Sequence, residues 1–134
     1  MNKKIYLAHL YSLGANLPDG SFDENLLDYR FEHSNMIAAK IMEYFGHIVF
    51  SPISHSHPIQ KYCKPESWVH TFWLKQDKSY LEWCDEMWIA LDKNDPYDWR
   101  RSTGVRWEKF IIHKMKKNIE EVYMDDGQLC LKIL

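Results

Sequence analysis

The fold is decided by the stretch Met87-Trp88-Ile89-Ala90-Leu91, which ends at Asp92. A short apolar run closed by a charged residue is typical of a strand that is buried on both faces. A helix is predicted before it, over about Glu66–Cys84, because apolar residues recur there at helical spacing. These residues are Trp68, Phe72, Trp73, Tyr80 and Leu81.

The segment that follows this strand predicts a second helix and a final turn. After a loop over residues 93–101, Ser102 or Thr103 can cap a helix that runs to about Lys117. The tail then holds two apolar stretches and the turn between them: Val122-Tyr123-Met124, Asp125-Asp126-Gly127 and Leu129-Cys130-Leu131. Because an Asp-Gly turn favours a hairpin, the last strand can run antiparallel.

The first half of the chain repeats the alternation of strand and helix. A buried strand is predicted over residues 4–8, and a helix is predicted over residues 24–45, where the apolar residues share one face. A second strand covers residues 47–51. Pro52 is expected to end it and to begin a long loop, because proline lacks the backbone donor that a strand needs.

This order of elements predicts an α/β fold. It is a single-domain, doubly wound and mostly parallel sheet of four to five strands, flavodoxin-like or Rossmann-like, with a last strand that can run antiparallel. The 134 residues suffice for one hydrophobic core and not for two ordinary domains, so residues 1–134 are taken as one domain. Ligands bind such sheets outside the carboxyl ends of the strands.

The composition excludes several classes of function. With 46% hydrophobic and 27% charged residues the chain is typical of a packed globular protein. The net charge of -2, with interspersed signs, provides no broad basic face for a long nucleic acid, although it leaves a small anionic ligand open. No apolar run approaches the ~20 residues that span a bilayer, so no membrane contact is expected. Without a signal-peptide pattern, the expected location is cytoplasmic.

Two carboxylates fall on apolar helix faces. Glu108 lies three residues after Val105, and Asp77 lies four residues before Leu81. A buried carboxylate is costly unless it is hydrogen-bonded or charge-paired. The pattern therefore indicates functional groups, structural partners of the arginines at positions 100, 101 and 106, or side chains that bend to solvent at a helix end, and it leaves these interpretations open.

The start of the helix that carries Glu108 is a candidate anion site. Ser102-Thr103-Gly104 lies at the helix N-terminus, where free N–H groups and the helix dipole favour a phosphate or a carboxylate. Gly104 lets an anion approach the backbone closely. One turn below, Glu108 suits chemistry at a sugar anomeric carbon, where a carboxylate attacks or stabilises positive charge.

The blocks that carry a family resemblance include these same residues. They are Ile5-Tyr6-Leu7-Ala8 with Tyr11-Ser12, Gly46-His47-Ile48-Val49-Phe50-Ser51-Pro52 leading to Ser56-His57-Pro58-Ile59, Leu91-Asp92, and Trp99-Arg100-x-Ser102-x-Gly104-Val105-Arg106-x-Glu108. By these blocks the chain resembles the nucleoside 2-deoxyribosyltransferase-like superfamily, and looks closest to its DUF1937 branch, over about residues 4–115.

The resemblance implies an enzyme that acts on the N-glycosidic bond of a nucleoside or nucleoside 5′-monophosphate, by hydrolysis or base exchange and without a cofactor. Glu108 matches the catalytic glutamate that attacks or supports C1′, and Asp77 matches an aspartate that orients the sugar or the leaving base. Ser102 and Gly104 match the segment that holds a 5′-phosphate. The other residues expected to bind substrate or phosphate are Tyr6, Tyr11, Ser12, His57, Asp92, Trp99 and Arg106.

Two further hypotheses stay open. His9 and Leu10 stand where active members usually have glycine and proline, which favours a non-catalytic module that binds a nucleotide or an ADP-ribose-like ligand. The six tryptophans also suit a structural or interaction protein, and a homo-oligomer, a dimer or larger, is expected. Trp99 is expected to stack on a base or to close over it.

The two histidines at positions 55 and 57 raise a separate hypothesis. On an extended segment both rings would lie on one side, as metal ligands or a proton shuttle require. No acid or cysteine lies at ligand spacing nearby, so no metal site is assigned. His57 is instead expected to line the pocket or to hydrogen-bond to its own backbone.

Overall fold

The structure is a computed structural model that describes residues 2–65 and 70–134. The strands are β1 (Lys4–Ala8), β2 (Ile48–Phe50), β3 (Glu86–Ala90), β4 (Asn118–Asp125) and β5 (Gln128–Ile133). In the described residues they form a five-stranded sheet in the order β2-β1-β3-β4-β5. The first four strands are parallel, and β5 pairs antiparallel with β4. The predicted α/β fold, with its antiparallel last strand, is confirmed.

The described residues also hold the helices α1 (Glu24–Phe45), α2 (Pro52–Gln60), α3 (His70–Trp83) and α4 (Thr103–Lys114). The bounds of α1 agree with the sequence prediction, because Asp23 caps its start and Gly46 ends it with a left-handed φ of 68°. The predicted beginning of α3, with Trp68, lies outside the described residues. No helix within 2–65 and 70–134 is both long and apolar enough to cross a membrane.

The segment after β2 is a helix, so the predicted long loop is wrong. Pro52 occupies the first turn of α2, where its fixed φ suits a helix and its missing N–H is not needed. Ser51 caps the helix, since its Oγ accepts a hydrogen bond from the Ser54 amide at 3.4 Å. Residues two apart on a helix point to nearly opposite sides. His55 and His57 therefore do not lie on one side, as was expected for an extended segment.

Alternation along the central strands sorts their side chains into two cores. On one face Leu7 packs in a buried cluster with Ile37 of α1. On the other face Tyr6 packs in a buried cluster with Leu81 and Ile112, which belong to α3 and α4. The phenol of Tyr6 therefore lies on the side of the sheet that is covered by the two helices carrying Asp77 and Glu108.

A buried ion pair ties the loop after β1 to the loop after β3. Arg30 of α1 is fully buried, and its Nε and Nη2 donate to the two carboxylate oxygens of Asp95 at 2.8 and 3.0 Å. Its Nη1 donates to the main-chain carbonyls of Tyr11 at 2.7 Å and Leu13 at 2.6 Å. One guanidinium thus fixes the position of both loops.

Gly14 allows these two loops to lie close together. Its φ is +79°, and a Cβ placed there would lie 2.2 Å from the ring of Tyr97. The Tyr97 ring itself lies 5.7 Å from the guanidinium of Arg30. A side chain at position 14 is therefore opposed both by the backbone conformation and by the neighbouring ring.

Candidate active site

A cavity of about 510 Å³ lies where the sequence analysis expected a site. Its walls come from the loop after β1, from α2 and α3, and from the start of α4. The predicted site residues that line it are Tyr11, Ser12, Asp77, Ser102, Gly104 and Glu108. Its position beside the carboxyl ends of the first two strands is the usual place for a ligand in a doubly wound sheet.

Glu108 is the most buried acid in this cavity, with 7% of its surface exposed. The Tyr6 hydroxyl donates a hydrogen bond to Glu108 Oε2. Burial and the negative charge of Asp77 raise the pKa of Glu108 to about 8, while the hydrogen bond from Tyr6 acts in the opposite direction. Burial raises the pKa of Tyr6 well above its ordinary value, so the phenol stays a donor.

Asp77 supplies a second carboxyl group to the same cavity. It lies on α3 and is half-buried, and burial raises its pKa to about 7. Because two neighbouring carboxylates repel each other, the pair holds about one proton near neutral pH. A site of this kind contains one ionised carboxylate and one carboxylic acid at the same time.

The arginines near α4 do not neutralise Glu108. Arg100 forms ion pairs with Asp98 and Glu121, at 3.2 Å each. Among the described residues no arginine lies within ion-pair distance of Glu108, so the alternative of a structural ion pair is wrong.

Arg101, and not the predicted Arg106, belongs to this cavity. Arg101 is exposed, lies immediately before the cap of α4 and lines the cavity. Arg106 is exposed one turn along the helix and lies outside the cavity lining. Arg101 was expected only as a possible ion-pair partner of a buried carboxylate, and it lies at the end of the short 3-10 helix Trp99–Arg101.

The N-terminus of α4 lies at one end of the cavity. Ser102 caps the helix, since its Oγ accepts a hydrogen bond from the Val105 amide at 3.2 Å. The first-turn amides of Thr103 and Gly104 have no acceptor within an α-helix, and both residues line the cavity with Arg101. The arrangement provides positive partial charge one turn above Glu108.

Asp92 and Trp99 line a second cavity, of about 900 Å³, and do not reach Glu108. Trp99 is buried, and its Nε1 donates to Glu121 Oε2 at 2.7 Å. The expected stacking of this ring on a base beside Glu108 is corrected, because Asp98 caps the short 3-10 helix and the ring packs into the core.

His57 lies behind the cavity wall and contacts Tyr11. The Tyr11 hydroxyl lies 2.6 Å from His57 Nδ1, and His57 Nε2 lies 2.7 Å from Asp28 Oδ1. Asp28 was not predicted, because its contact with His57 joins two residues that lie 29 positions apart in the chain. The structure thus connects a residue of the cavity to a carboxylate at the protein surface.

His9 separates the two cavities and lines both of them. Its Nδ1 lies 2.7 Å from the Leu10 carbonyl, and its Nε2 lies 2.8 Å from His33 Nδ1. Burial lowers the pKa of His9 to about 4, so the ring is neutral at physiological pH. The unusual residue of the first loop therefore forms a fixed, uncharged wall.

Comparison with known proteins agrees with this architecture. Residues 3–124 match the family model described as a domain of unknown function, DUF1937. Among solved structures, a 2-deoxyribosyltransferase from the psychrotolerant bacterium Bacillus psychrosaccharolyticus is similar, with a TM-score of 0.55 and 22% sequence identity. The match covers 92% of this chain and 87% of that chain, and it shows a shared fold. No curated protein matches. The chain therefore belongs to the DUF1937 family, in agreement with the resemblance found in its sequence.

Proposed function

We propose that the protein cleaves the N-glycosidic bond of a nucleoside or a nucleoside 5′-monophosphate, by hydrolysis or by base exchange. The observation that carries the proposal is the burial of Glu108 in a cavity that Asp77 also lines, with a hydrogen bond from Tyr6 and, among the described residues, no ion pair to a cation. The shared fold with a 2-deoxyribosyltransferase supports this class of reaction.

The first step uses the form of the pair in which Glu108 is ionised and Asp77 carries the proton, which is the minor singly protonated form because the pKa of Asp77 is about 7 and that of Glu108 about 8. The C1′–N bond breaks, and its electron pair passes to the base, which takes a proton from Asp77. A carboxylate oxygen of Glu108 bonds to C1′, or stabilises its positive charge. The hydrogen bond from Tyr6 holds the carboxylate in position for this attack.

In the second step Asp77 is ionised and acts as the base. It takes a proton from water as the water oxygen bonds to C1′, and the bond to Glu108 breaks with its electron pair returning to the carboxylate. Attack by the nitrogen of another base gives exchange in place of hydrolysis. Both outcomes restore the starting protonation of the pair.

The N-terminus of α4 would hold the 5′ end of the substrate. Its free amides and the guanidinium of Arg101 suit a phosphate, and Gly104 leaves room for close approach. A ligand bound there would place its sugar one helical turn from Glu108. This geometry favours a monophosphate over an uncharged nucleoside.

The test is a panel of nucleosides, 2′-deoxynucleosides and their 5′-monophosphates, with free base measured by chromatography. We expect base release by the unmodified protein, and a loss of at least about a thousandfold in Glu108→Gln, which keeps the side-chain shape. Glu43→Gln removes an exposed carboxylate of α1 and should leave the rate unchanged. Equal rates in Glu108→Gln and the unmodified protein would contradict the proposal.

The second candidate function is a non-catalytic module that binds a nucleotide or an ADP-ribose-like ligand. The observation in its favour is the pKa of Glu108 of about 8, because a protonated glutamic acid at neutral pH is a poor nucleophile. Calorimetry separates the two functions. Binding of a monophosphate without release of base favours the module, and release of base excludes it.

We also propose that the protein acts as a homo-oligomer. Large exposed apolar side chains support an interface between subunits, among them Tyr44, Phe45, Ile48 and Phe110. A molar mass of one chain, measured by light scattering at working concentration, would contradict this.

A further inference from the structure

A chain of hydrogen bonds leads from the protein surface into the cavity. Asp28 lies exposed on α1, His57 lies on α2, and Tyr11 lines the cavity. His57 Nε2 lies 2.7 Å from Asp28 Oδ1, and His57 Nδ1 lies 2.6 Å from the Tyr11 hydroxyl. We call these three residues the Tyr11 relay.

The chemistry of the three groups fixes the direction of both hydrogen bonds. A carboxylate can only accept, so His57 Nε2 carries the proton and donates to Asp28. In a neutral imidazole the other nitrogen then has a free lone pair, so His57 Nδ1 accepts from the Tyr11 hydroxyl. The proton of the phenol is thereby directed away from the cavity. The side chain of Gln60 also hydrogen-bonds to the oxygen of Tyr11, which leaves one lone pair of that oxygen for a ligand.

The relay is held by groups that do not belong to it. The buried Arg30 donates to the main-chain carbonyl of Tyr11 at 2.7 Å and so fixes its backbone. The ring of Phe31 lies 4.6 Å from the ring of His57. Because both ends of the Tyr11 side chain are fixed, its hydroxyl is preorganised as an acceptor.

We propose that the Tyr11 relay selects bases that carry a hydrogen-bond donor, such as an amino group or a ring N–H, at the edge facing Tyr11. The proposal rests on the proposed function, which makes the ligand a nucleoside or nucleotide. The lining of the cavity that includes Tyr11 also includes Leu13, Phe22 and Trp73, and such apolar and aromatic side chains suit a flat base better than a sugar. His57 and Asp28 are positioning residues, because they act through Tyr11.

Calorimetric titration with paired ligands tests the selection. The pairs are adenosine 5′-monophosphate with purine riboside 5′-monophosphate, and cytidine 5′-monophosphate with the riboside monophosphate of 2-pyrimidinone. The second member of each pair lacks the amino group of the first. We expect the unmodified protein to bind the amino-bearing member of at least one pair about five- to tenfold more tightly, the usual net effect of one hydrogen bond.

Three variants should reduce that ratio to within about twofold of one: Tyr11→Phe, His57→Phe and Asp28→Asn. Glu32→Gln is the matched control, since it removes the same charge from an exposed position one turn along α1. Asp28→Asn changes an exposed side chain, so it keeps the test valid if substitution of His57 prevents folding. If the affinity ratio is unchanged in Tyr11→Phe, the relay is overturned. It is also overturned if the ratio changes in Tyr11→Phe but not in His57→Phe and Asp28→Asn.

The outcome is separable from that of the proposed function, because the same titrations can be made in the Glu108→Gln background, where binding is measured without turnover. Binding without base release overturns the glycosidase and leaves the relay standing if the ratios change as expected. Base release with unchanged ratios overturns the relay alone. Absence of binding by every nucleotide overturns both.

Nitrogen-15 NMR gives a second test that needs no ligand. The relay requires His57 to carry its proton on Nε2, and comparison with the His57→Phe spectrum assigns its signal among the seven histidines. Asp28→Asn should shift the ring toward the other tautomer, while Glu32→Gln should leave the tautomer as it is. A proton on Nδ1 in the unmodified protein overturns the relay.

Discussion

Two buried carboxylates, Asp95 and Glu108, lie in the same layer of loops and helix ends and have opposite surroundings. Burial alone would raise the pKa of Asp95, but hydrogen bonds from Arg30 and from the Tyr97 amide outweigh it, and its pKa lies below the ordinary value. Glu108 has a phenol and a second carboxyl group as neighbours, and its pKa rises to about 8. Burial by itself therefore does not distinguish a structural acid from a reactive one.

The difference lies in what each acid receives from its partners. Arg30 supplies two hydrogen bonds and a positive charge, which settle Asp95 in one state. Tyr6 supplies one hydrogen bond to Glu108, and Asp77 supplies repulsion. The first arrangement favours a fixed structure, and the second leaves a group whose proton can move.

Breaking the structural pair should give the largest effect. Arg30→Met leaves Asp95 charged and unpaired in the interior, so we expect a loss of about 3 to 5 kcal/mol in the free energy of unfolding. Urea denaturation measures it. Addition of Asp95→Asn should recover part of the loss, whereas Arg106→Met, at an exposed position, should change the free energy by less than about 0.5 kcal/mol. A small effect of Arg30→Met would show that Asp95 does not depend on Arg30 for its stability in the interior.

Replacing Glu108 by a neutral side chain should act in the opposite direction on stability. Folded Glu108 keeps its proton up to about pH 8, whereas the unfolded chain releases it near the ordinary value of 4.5. The folded state binds more protons in this window, so the unmodified protein loses stability as pH rises from 4.5 to 8. The free energy of unfolding of Glu108→Gln should exceed that of the unmodified protein by about 2 to 4 kcal/mol at pH 8 and by little at pH 4. Denaturation of both proteins at the two pH values, with Glu43→Gln as control, measures the difference, and a variant less stable at pH 8 contradicts it.

The second carboxyl group should set the pH profile of base release. The active form holds one proton, so the rate should rise near pH 7, where the first proton leaves the pair, and fall near pH 8, where the second leaves. Asp77→Asn should lower the maximal rate about ten- to a hundredfold and remove the alkaline fall. The control Glu82→Gln should keep the bell-shaped profile. If Asp77→Asn keeps it as well, Asp77 is not the group whose ionisation causes the alkaline fall.

The smallest expected effect sharpens the contrast between two arginines. Arg30 is paired inside the protein, while Arg101 is exposed and lines the cavity. Arg101→Met should weaken binding of a 5′-monophosphate about fivefold and leave the parent nucleoside within about twofold, because one hydrogen bond to a charged group is lost. Thermal unfolding should hardly change. Calorimetry measures the affinity of the variant for each of the two ligands. Equal weakening of both affinities would show that Arg101 does not bind the phosphate.

The sequence predicted the features that local patterns encode. Apolar runs and cap residues located β1 and both ends of α1, and helix phase placed Glu108 on a buried face. The helix α2 was not predicted, because it is rich in serine and histidine and because its first residue is a proline, which was taken to end the preceding strand. Trp99 was misplaced because a short 3-10 helix decides where its ring points.

Contacts between residues far apart in the chain were outside the reach of such patterns. Arg30 and Asp95 are 65 residues apart, and Asp28 and His57 are 29 apart. Neither pair has a periodic signature, since each depends on how two elements meet in the folded protein. The polar connections that hold the cavity were therefore found only in three dimensions.

Gly14 and Tyr97 have a consequence for how this family can diverge. A Cβ at position 14 would occupy the space of the Tyr97 ring, so a side chain at position 14 requires a smaller or displaced side chain at position 97. Relatives with a side chain at position 14 should carry a small residue at position 97. That side chain should most often be asparagine or aspartate, because the φ of residue 14 is positive. The two positions should thus vary together across related sequences, as a record of the contact between the two loops.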